Sequence, residues 1–183
     1  MPRSPVSKRL VVLALAAGAL TLARLEDQPR SSNPATRFGS AIERVERGTW
    51  ALDASPFLWS HDKIFRDGHF YSSKPPALEW LAVGLVGALK GLGIAFERHP
   101  VLVYRFVVFW LAFVPFAAVV ALTWAMTRHE PWGWTAPLCA GAGSLLWPLS
   151  TTLTNHPLTA LLVLAGLWAV RRRRLSGGWA VAA

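Results

Sequence analysis

The stretch KIFRDGHFYSSKPP, residues 63–76, contains the signals for a hairpin turn, a returning strand and a helix start. An Asp67-Gly68 pair lies between short β-branched and aromatic runs, which is the pattern typical of a two-residue hairpin turn. Because a turn of that length fixes the register, each cross-strand pair can be predicted. The predicted pairs are Arg66 with His69, Phe65 with Phe70, Ile64 with Tyr71, Lys63 with Ser72 and Asp62 with Ser73.

This register brings two motifs that are separated along the chain, HDK and SSKPP, to the base of one hairpin, residues 62–74. Asp62 and Lys63 are therefore expected to lie beside Lys74. The double proline that follows Lys74 ends the strand and favours the start of the next helix, because proline fixes φ and suits the first helical turn.

The composition of the whole chain indicates a membrane protein. Its 183 residues are 53% hydrophobic, include ten tryptophans and have a mean hydropathy of +0.35. Residues 25–100 carry nine acids and nine bases, so the net charge of +9 comes from the flanks, mainly residues 3–9 and 171–174. Basic runs beside apolar segments are typical of cytoplasmic helix ends rather than of a nucleic-acid surface. We therefore predict a multi-pass plasma-membrane protein with a cytoplasmic N-terminus and no nucleic-acid partner.

The apolar runs predict an all-α polytopic fold with about four transmembrane helices, of which the last three are near the ~17–25 residues that cross a bilayer. The first run, residues 10–23, reaches only ~21 Å at ~1.5 Å per residue, so its flanking side chains would have to extend to the membrane surface. The first run could instead be a signal peptide, but it lacks a clear cleavage site. The predicted segments are a cytoplasmic N-terminus (1–9), a first transmembrane helix (10–24), an extracytoplasmic loop (25–105), three transmembrane helices (106–127, 135–149 and 153–170, together 106–170) and a cytoplasmic segment with the start of a truncated further helix (171–183).

A further apolar segment, residues 77–96, is ambiguous. If the N-terminus and the tetra-arginine run are both cytoplasmic, an even number of crossings separates them, and the four runs above already satisfy this. Because the segment also contains Glu79 and Lys90, we expect a juxtamembrane helix that does not cross. The alternative is that it spans the bilayer and one of the shorter runs does not.

A second juxtamembrane helix is predicted at residues 34–47. Asn33 suits the N-cap and Pro34 the first helical position, and Gly48 is expected to end the helix. The apolar residues recur on one face, and Glu43 and Arg47 should form an ion pair on the opposite face. We expect this helix to lie flat on the membrane. The apolar positions are Phe38, Ile42 and Val45.

The order of these features resembles the membrane-embedded GT-C glycosyltransferases of the protein mannosyltransferase and lipid A aminoarabinose transferase type. The matching motifs are TRF...AIERVERGTW, DGHFYSSKPPALEWLAVG and GSLLWPLSTTLTNHPLTALL, within residues 8–174. Such enzymes transfer a sugar from a polyprenyl-phosphate carrier to an extracytoplasmic glycan, lipid or protein acceptor, with catalysis in the first outer loop. Since family members are longer and have more spans, the resemblance implies an N-terminal fragment.

The resemblance also implies substrate-binding residues. The family's lysine before the double proline contacts the carrier phosphate and corresponds to Lys74, and an ammonium suits an anionic headgroup. Arg105, which precedes the second span, is placed like a family arginine. Alternatively, Lys74 is an interfacial anchor and Arg105 reaches out to the membrane surface. We also expect Lys63, Tyr71 and Asn155 to contribute to substrate binding.

The catalytic base is where the chain departs from the family pattern. Known members carry an acidic pair just before the TR motif, and this chain has Pro34 and Ala35 there. Asp62 is the first candidate to replace the pair, and Asp53 is the second. Alternatively, Asp62 is a surface residue that supports the turn or forms a salt bridge next to Lys63. His156, at the outer turn before the fourth span, is a third candidate, or else caps that span together with the preceding asparagine.

No cofactor is expected, although His61, Asp62, Asp67 and His69 could in principle bind a divalent metal ion. Their spacing matches no recognised metal motif. The alternative function is a non-catalytic small membrane protein, such as a partner subunit or a transporter fragment. That alternative predicts that Asp62, Lys74 and Arg105 tolerate substitution.

Overall fold

The computed structural model describes residues 17–175, and the side chains of residues 17–172. The described chain is mostly helical, with 60% helix and 5% strand. Of the predicted first span, residues 17–23 are helical and the earlier residues lie outside the described part, as do residues 1–9 and 176–183. The elements are α1 (Ser32–Arg47), β1 (Lys63–Arg66), β2 (His69–Ser72), α2 (Ala77–Gly91), α3 (Pro100–Thr127), α4 (Thr135–Gly141), α5 (Leu146–Leu149) and α6 (His156–Leu175).

Helix α1 forms where the sequence predicted a helix, but it begins earlier. Its N-cap is Ser31 rather than Asn33, because the Asn33 side chain instead accepts a hydrogen bond from Arg37 Nε at 2.8 Å. The C-terminal end is at Gly48, whose φ of +72° is the left-handed conformation that glycine adopts without strain.

Helix α1 is largely buried by the rest of the protein, and its position relative to a membrane stays a prediction. Every residue from 34 to 43 is buried, because α2 packs along the helix and residues 52–57 cover Gly39. The predicted Glu43–Arg47 ion pair is present at 2.6 Å. However, the Glu43 side chain is fully buried rather than on an exposed face.

The hairpin has the predicted register at every pair between Lys63 and Ser72. Asp67 and Gly68 have φ angles of +50° and +84°, as a type I′ turn requires at both central positions. Beyond the last strand pair, the Ser73 backbone N–H donates to the Asp62 carbonyl at 3.2 Å. The base of the hairpin is therefore closed as the sequence predicted.

Helix α2 ends at Gly91, before the predicted limit of residue 96, and Gly93 follows with a φ of +82°. One face of α2 packs in the core through Ala82 and Val86. The other face leaves apolar side chains exposed, so the helix is apolar on both sides. The exposed residues on and just after α2 are Trp80, Leu81 and Leu92.

Helix α3 is the one helix in residues 17–175 that is long and apolar enough to cross a membrane. It starts at Pro100, ahead of the predicted start at residue 106, because proline suits a first helical position. A wider π turn, Phe109–Phe113, lies directly before Pro115. Proline lacks an N–H and its ring clashes with the carbonyl one turn earlier, which accounts for the local widening.

The predicted span at residues 135–149 is not one continuous helix. The chain forms the short helices α4 and α5, interrupted at Gly143 and Ser144, where the Ser144 hydroxyl accepts a hydrogen bond from the Leu146 N–H. Most of the last predicted span, 153–170, is helical in α6, which starts at His156 and continues through the arginine run. Helix α6 packs against α3.

Candidate functional site

A cleft of about 360 Å³ lies where α1, β2 and the first turn of α2 meet. The returning strand of the hairpin and the first turn of α2 supply most of its polar wall. The cleft forms here because the double proline turns the chain from the strand directly into α2. The lining residues are Ser40, Trp50, Tyr71, Ser72, Lys74, Pro76, Glu79 and Trp80.

Lys74 and Asp62 form an ion pair at this cleft, with Lys74 Nζ 3.0 Å from Asp62 Oδ2. The hairpin register produces the pair, because it places residue 62 opposite residue 73. The side chains keep 23% and 33% of their area exposed, so both remain accessible to solutes. The Lys74 backbone N–H is bound by Ser72 Oγ at 3.1 Å, which orients the turn.

Glu79 is a cleft residue that the sequence interpretation missed as a site residue. Only 3% of it is exposed, and the Ser72 hydroxyl donates a hydrogen bond to its Oε1. Burial raises the pKa of the Glu79 carboxyl, although the Ser72 hydrogen bond and the charge of Arg37 act in the opposite direction. The signal that could have identified it is a single acid in the first turn of an apolar helix, directly after the hairpin.

Arg37 is the second residue that the sequence interpretation missed, and it contacts the turn beside the cleft. It is 4% exposed, and its Nη1 donates to the Pro75 carbonyl at 3.3 Å. Desolvation lowers the pKa of the Arg37 guanidinium, while the charges of Glu79 and Asp62 act to raise it. The residue therefore connects α1 to the turn that carries Lys74.

Two tryptophans form the aromatic wall of the cleft. The rings of Trp50 and Trp80 meet edge to face, with centroids 4.8 Å apart. The Arg44 guanidinium lies 5.7 Å from the Trp50 ring centre, which helps to hold that indole in place. Hydroxyl, carboxyl and indole groups therefore face one small volume.

Asp53 lies outside the cleft and fastens the preceding loop to the hairpin. Its Oδ2 is 2.9 Å from His69 Nδ1, and its Oδ1 accepts the Phe70 N–H at 3.2 Å. Burial alone would raise the pKa of Asp53, but the hydrogen bonds from Phe70 and His69 hold this pKa below its ordinary value. Asp53, the second candidate for the catalytic base, is thus part of a structural contact.

Asp53→Asn tests this contact through acid stability. A carboxyl whose folded pKa is lowered contributes stability above its unfolded pKa and loses it as the pH falls through the folded value. Wild-type protein should therefore lose stability on acidification below about pH 4, and the variant should lose less. The measurement is thermal unfolding in detergent between neutral and acidic pH. Equal acid sensitivity of the two proteins would contradict this role.

Lys63 also has a structural partner outside the cleft. Its Nζ donates to the Leu58 carbonyl at 2.6 Å and to the Ser60 carbonyl, and lies over the Phe70 ring. The ammonium thereby holds residues 58–60 against the hairpin.

The structure does not bring the remaining predicted residues to the cleft. Arg105 is exposed on α3, and His156 is exposed at the first position of α6. The Asn155 carbonyl accepts the Thr159 N–H at 2.9 Å, so this residue begins α6 through its backbone.

Three of the four potential metal ligands around the hairpin have different side-chain partners, and His61 contacts Ser32 through its backbone N–H. Asp62 pairs with Lys74, His69 with Asp53, and Asp67 with its neighbour Arg66 at 3.2 Å. Within residues 17–172, no three His, Cys, Asp or Glu side chains converge as a metal site.

The cleft thus combines three of the predicted residues, Asp62 at its edge and Tyr71 and Lys74 in its wall, with the missed pair Arg37 and Glu79. Its interpretation rests on this chemistry alone. No protein-family model matches the chain, and neither a curated protein nor a solved structure is significantly similar to it.

Proposed function

We propose that the chain is a membrane-embedded glycosyltransferase of the GT-C type, which transfers a sugar from a polyprenyl-phosphate carrier to an extracytoplasmic acceptor. One observation supports this above all others. The accessible ammonium of Lys74 lies at a small cleft walled by two tryptophans, a tyrosine, two serines and a glutamate. A sugar phosphate needs a cationic group for its phosphate beside an aromatic and polar surface for its sugar.

The phosphate is assigned to Lys74. Its present partner, Asp62, offers one negative charge in a partly exposed pair, and such pairs contribute only about 0–1 kcal/mol. A phosphate group carries more charge and more acceptor oxygens, so it can share or displace this contact. Asp62 then keeps the ammonium directed towards the cleft.

The sugar is assigned to the walls of the cleft. Pyranose rings present C–H groups on their faces and hydroxyl groups at their edges, so they suit a site with both indole and polar groups. Trp50 and Trp80 provide the aromatic surface, while Ser40 and Ser72 can exchange hydrogen bonds with sugar hydroxyls.

The membrane arrangement in this proposal has a cytoplasmic N-terminus and four crossings, through residues 10–24, α3, residues 135–149 and α6. The two short helices α4 and α5 make up the third crossing. The exposed apolar residues Trp80 and Leu81 lie on α2 next to the cleft, which supports an interfacial position for the site. The carrier's lipid chain would then remain in the bilayer while its phosphate reaches Lys74.

The test of this function is a transfer assay on the chain in membranes, with a radiolabelled polyprenyl-phosphate sugar as donor and a Lys74→Ala variant beside it. Label that enters an acceptor fraction only with the wild-type chain is the expected result. If neither donor binding nor transfer occurs, the non-catalytic membrane protein is the better interpretation.

Asp62→Asn separates two roles for this residue. If Asp62 is the partner that directs Lys74, its loss should raise the donor KM by at most about fivefold, the equivalent of about 1 kcal/mol, with a smaller change in kcat. As the catalytic base predicted from the sequence, its loss should instead lower kcat by about 10²–10⁴-fold. We expect the first pattern, because the ion pair occupies the Asp62 carboxylate. Initial rates over a range of donor concentrations distinguish the two.

A further inference from the structure

Sugar transfer to a hydroxyl acceptor needs a group that removes the acceptor's proton, and three carboxylates lie near the hairpin besides the exposed Asp67 at its turn. Asp53 is bound by His69 and by the Phe70 N–H, outside the cleft. Asp62 is held in an ion pair by the Lys74 ammonium, so its carboxylate is already occupied. The third carboxylate is that of Glu79.

Glu79 differs from the other two in both position and partners. It lines the cleft itself, with 3% of its area exposed, while its hydrogen-bond partners are the hydroxyls of Ser72 and Ser40. A hydroxyl can donate a hydrogen bond to the Glu79 carboxylate and, after rotating, can accept one from the protonated carboxyl. Glu79 can therefore gain and lose a proton without breaking an ion pair. The first turn of α2 is a regular helix that fixes the carboxyl in this place.

We propose that Glu79 is the catalytic base that removes the acceptor's proton, an inference that rests on the proposed function. In this step the acceptor O–H proton passes to a Glu79 carboxylate oxygen, and the acceptor oxygen forms a bond to the anomeric carbon. The bond between that carbon and the phosphate oxygen breaks, and its electron pair leaves with the polyprenyl phosphate at Lys74. No oxidant, reductant or further reactant is needed.

The surroundings of Glu79 suit a base of moderate strength. Burial favours the protonated form, which makes the carboxylate a better proton acceptor than an exposed glutamate, and Arg37 keeps the ionised form accessible. The titratable and charged groups around it are Arg37 on α1, Tyr71 on β2, and Asp62 and Lys74 at the base of the hairpin.

The decisive experiment compares Glu79→Gln, Lys74→Ala and the control Asp67→Asn in the membrane-embedded chain. Asp67 loses the same charge as Glu79, but its side chain is 81% exposed at the hairpin turn and lies outside the cleft. Donor binding is measured by retention of a radiolabelled polyprenyl-phosphate sugar, and transfer by initial rates with saturating donor. Thermal unfolding in detergent checks that each variant folds.

We expect Glu79→Gln to bind the donor within about threefold of wild type and to lose about 10²–10⁴-fold in kcat, as removal of a general base does. The wild-type transfer rate should fall on acidification. The residual transfer rate of Glu79→Gln should not show this fall. Glu79→Asp, which keeps a carboxylate, should recover part of the rate. Asp67→Asn should match wild type in both assays.

Transfer by Glu79→Gln at a wild-type rate with a wild-type pH profile would overturn the assignment of the base and leave the proposed function intact. So would a loss of donor binding equal to that of Lys74→Ala, since Glu79 would then be a donor contact. Failure of the wild-type chain to bind the donor would instead overturn the proposed function, and the base assignment with it.

Discussion

Lys74→Ala is expected to remove sugar transfer and to weaken donor binding by about 10–100-fold, the equivalent of losing a charged hydrogen-bond contact of about 1.5–3 kcal/mol. The reason is that Lys74 provides the only ammonium among the residues that line the described cleft. Without it, the donor phosphate meets Asp62 with no compensating charge, so repulsion adds to the lost contact. Binding is measured as retention of a radiolabelled polyprenyl-phosphate sugar, and transfer in the same membranes.

The matched control for this variant is Arg66→Ala. Arg66 is also basic and also belongs to the hairpin, but its side chain is 77% exposed and lies at the turn, away from the cleft. It should bind and transfer like wild type. Equal losses in both variants would mean that a general basic surface attracts the donor, and unchanged binding by Lys74→Ala would remove the phosphate site from the proposal.

Phe38→Ala is expected to destabilise the protein by about 3–5 kcal/mol, the usual cost of truncating a buried aromatic residue. Phe38 is fully buried on α1, and its ring centroid lies 5.7 Å from Phe57, 5.6 Å from Phe96 and 4.9 Å from Tyr104. Truncation therefore leaves a cavity where α1, the loop and α3 meet. Chemical denaturation in detergent, followed by tryptophan fluorescence, measures the change.

Phe65→Ala is the control for this truncation. The Phe65 side chain is 65% exposed on β1, and its one close aromatic neighbour is the cross-strand Phe70 at 5.0 Å. The free energy of unfolding should fall by at most about 1 kcal/mol, as for the loss of a single cross-strand pair. A similar loss for the two variants would contradict the assignment of the aromatic cluster to the core.

Local sequence signals predicted the hairpin, the end of α1 and the start of α2. The Asp67-Gly68 pair specified the turn, and every cross-strand pair followed from it, including the approach of Asp62 to Lys74. Gly48 likewise marked the end of α1. These features depend on neighbouring residues, whose backbone preferences can be read directly from residue types.

The sequence predictions were wrong where a residue pattern is compatible with more than one structure. Residues 135–149 are apolar enough for a span, but Gly143 and Ser144 allow the chain to break into α4 and α5. Asn33 was a suitable cap, but its side chain forms a hydrogen bond with Arg37 instead. Hydropathy does not discriminate between these outcomes, because it reports composition and not the contacts that compete for each group.

By itself, the sequence determined the apolar and mostly helical character, the hairpin with its register, and the approach of Asp62 to Lys74 at its base. Only the tertiary structure decided which polar residues are buried. Glu79 lines the cleft, and Arg37 binds the Pro75 carbonyl beside it, because α1 and α2 pack together with the hairpin between their ends. Burial of a charged group depends on contacts between residues far apart in the chain, and no local pattern specifies those contacts.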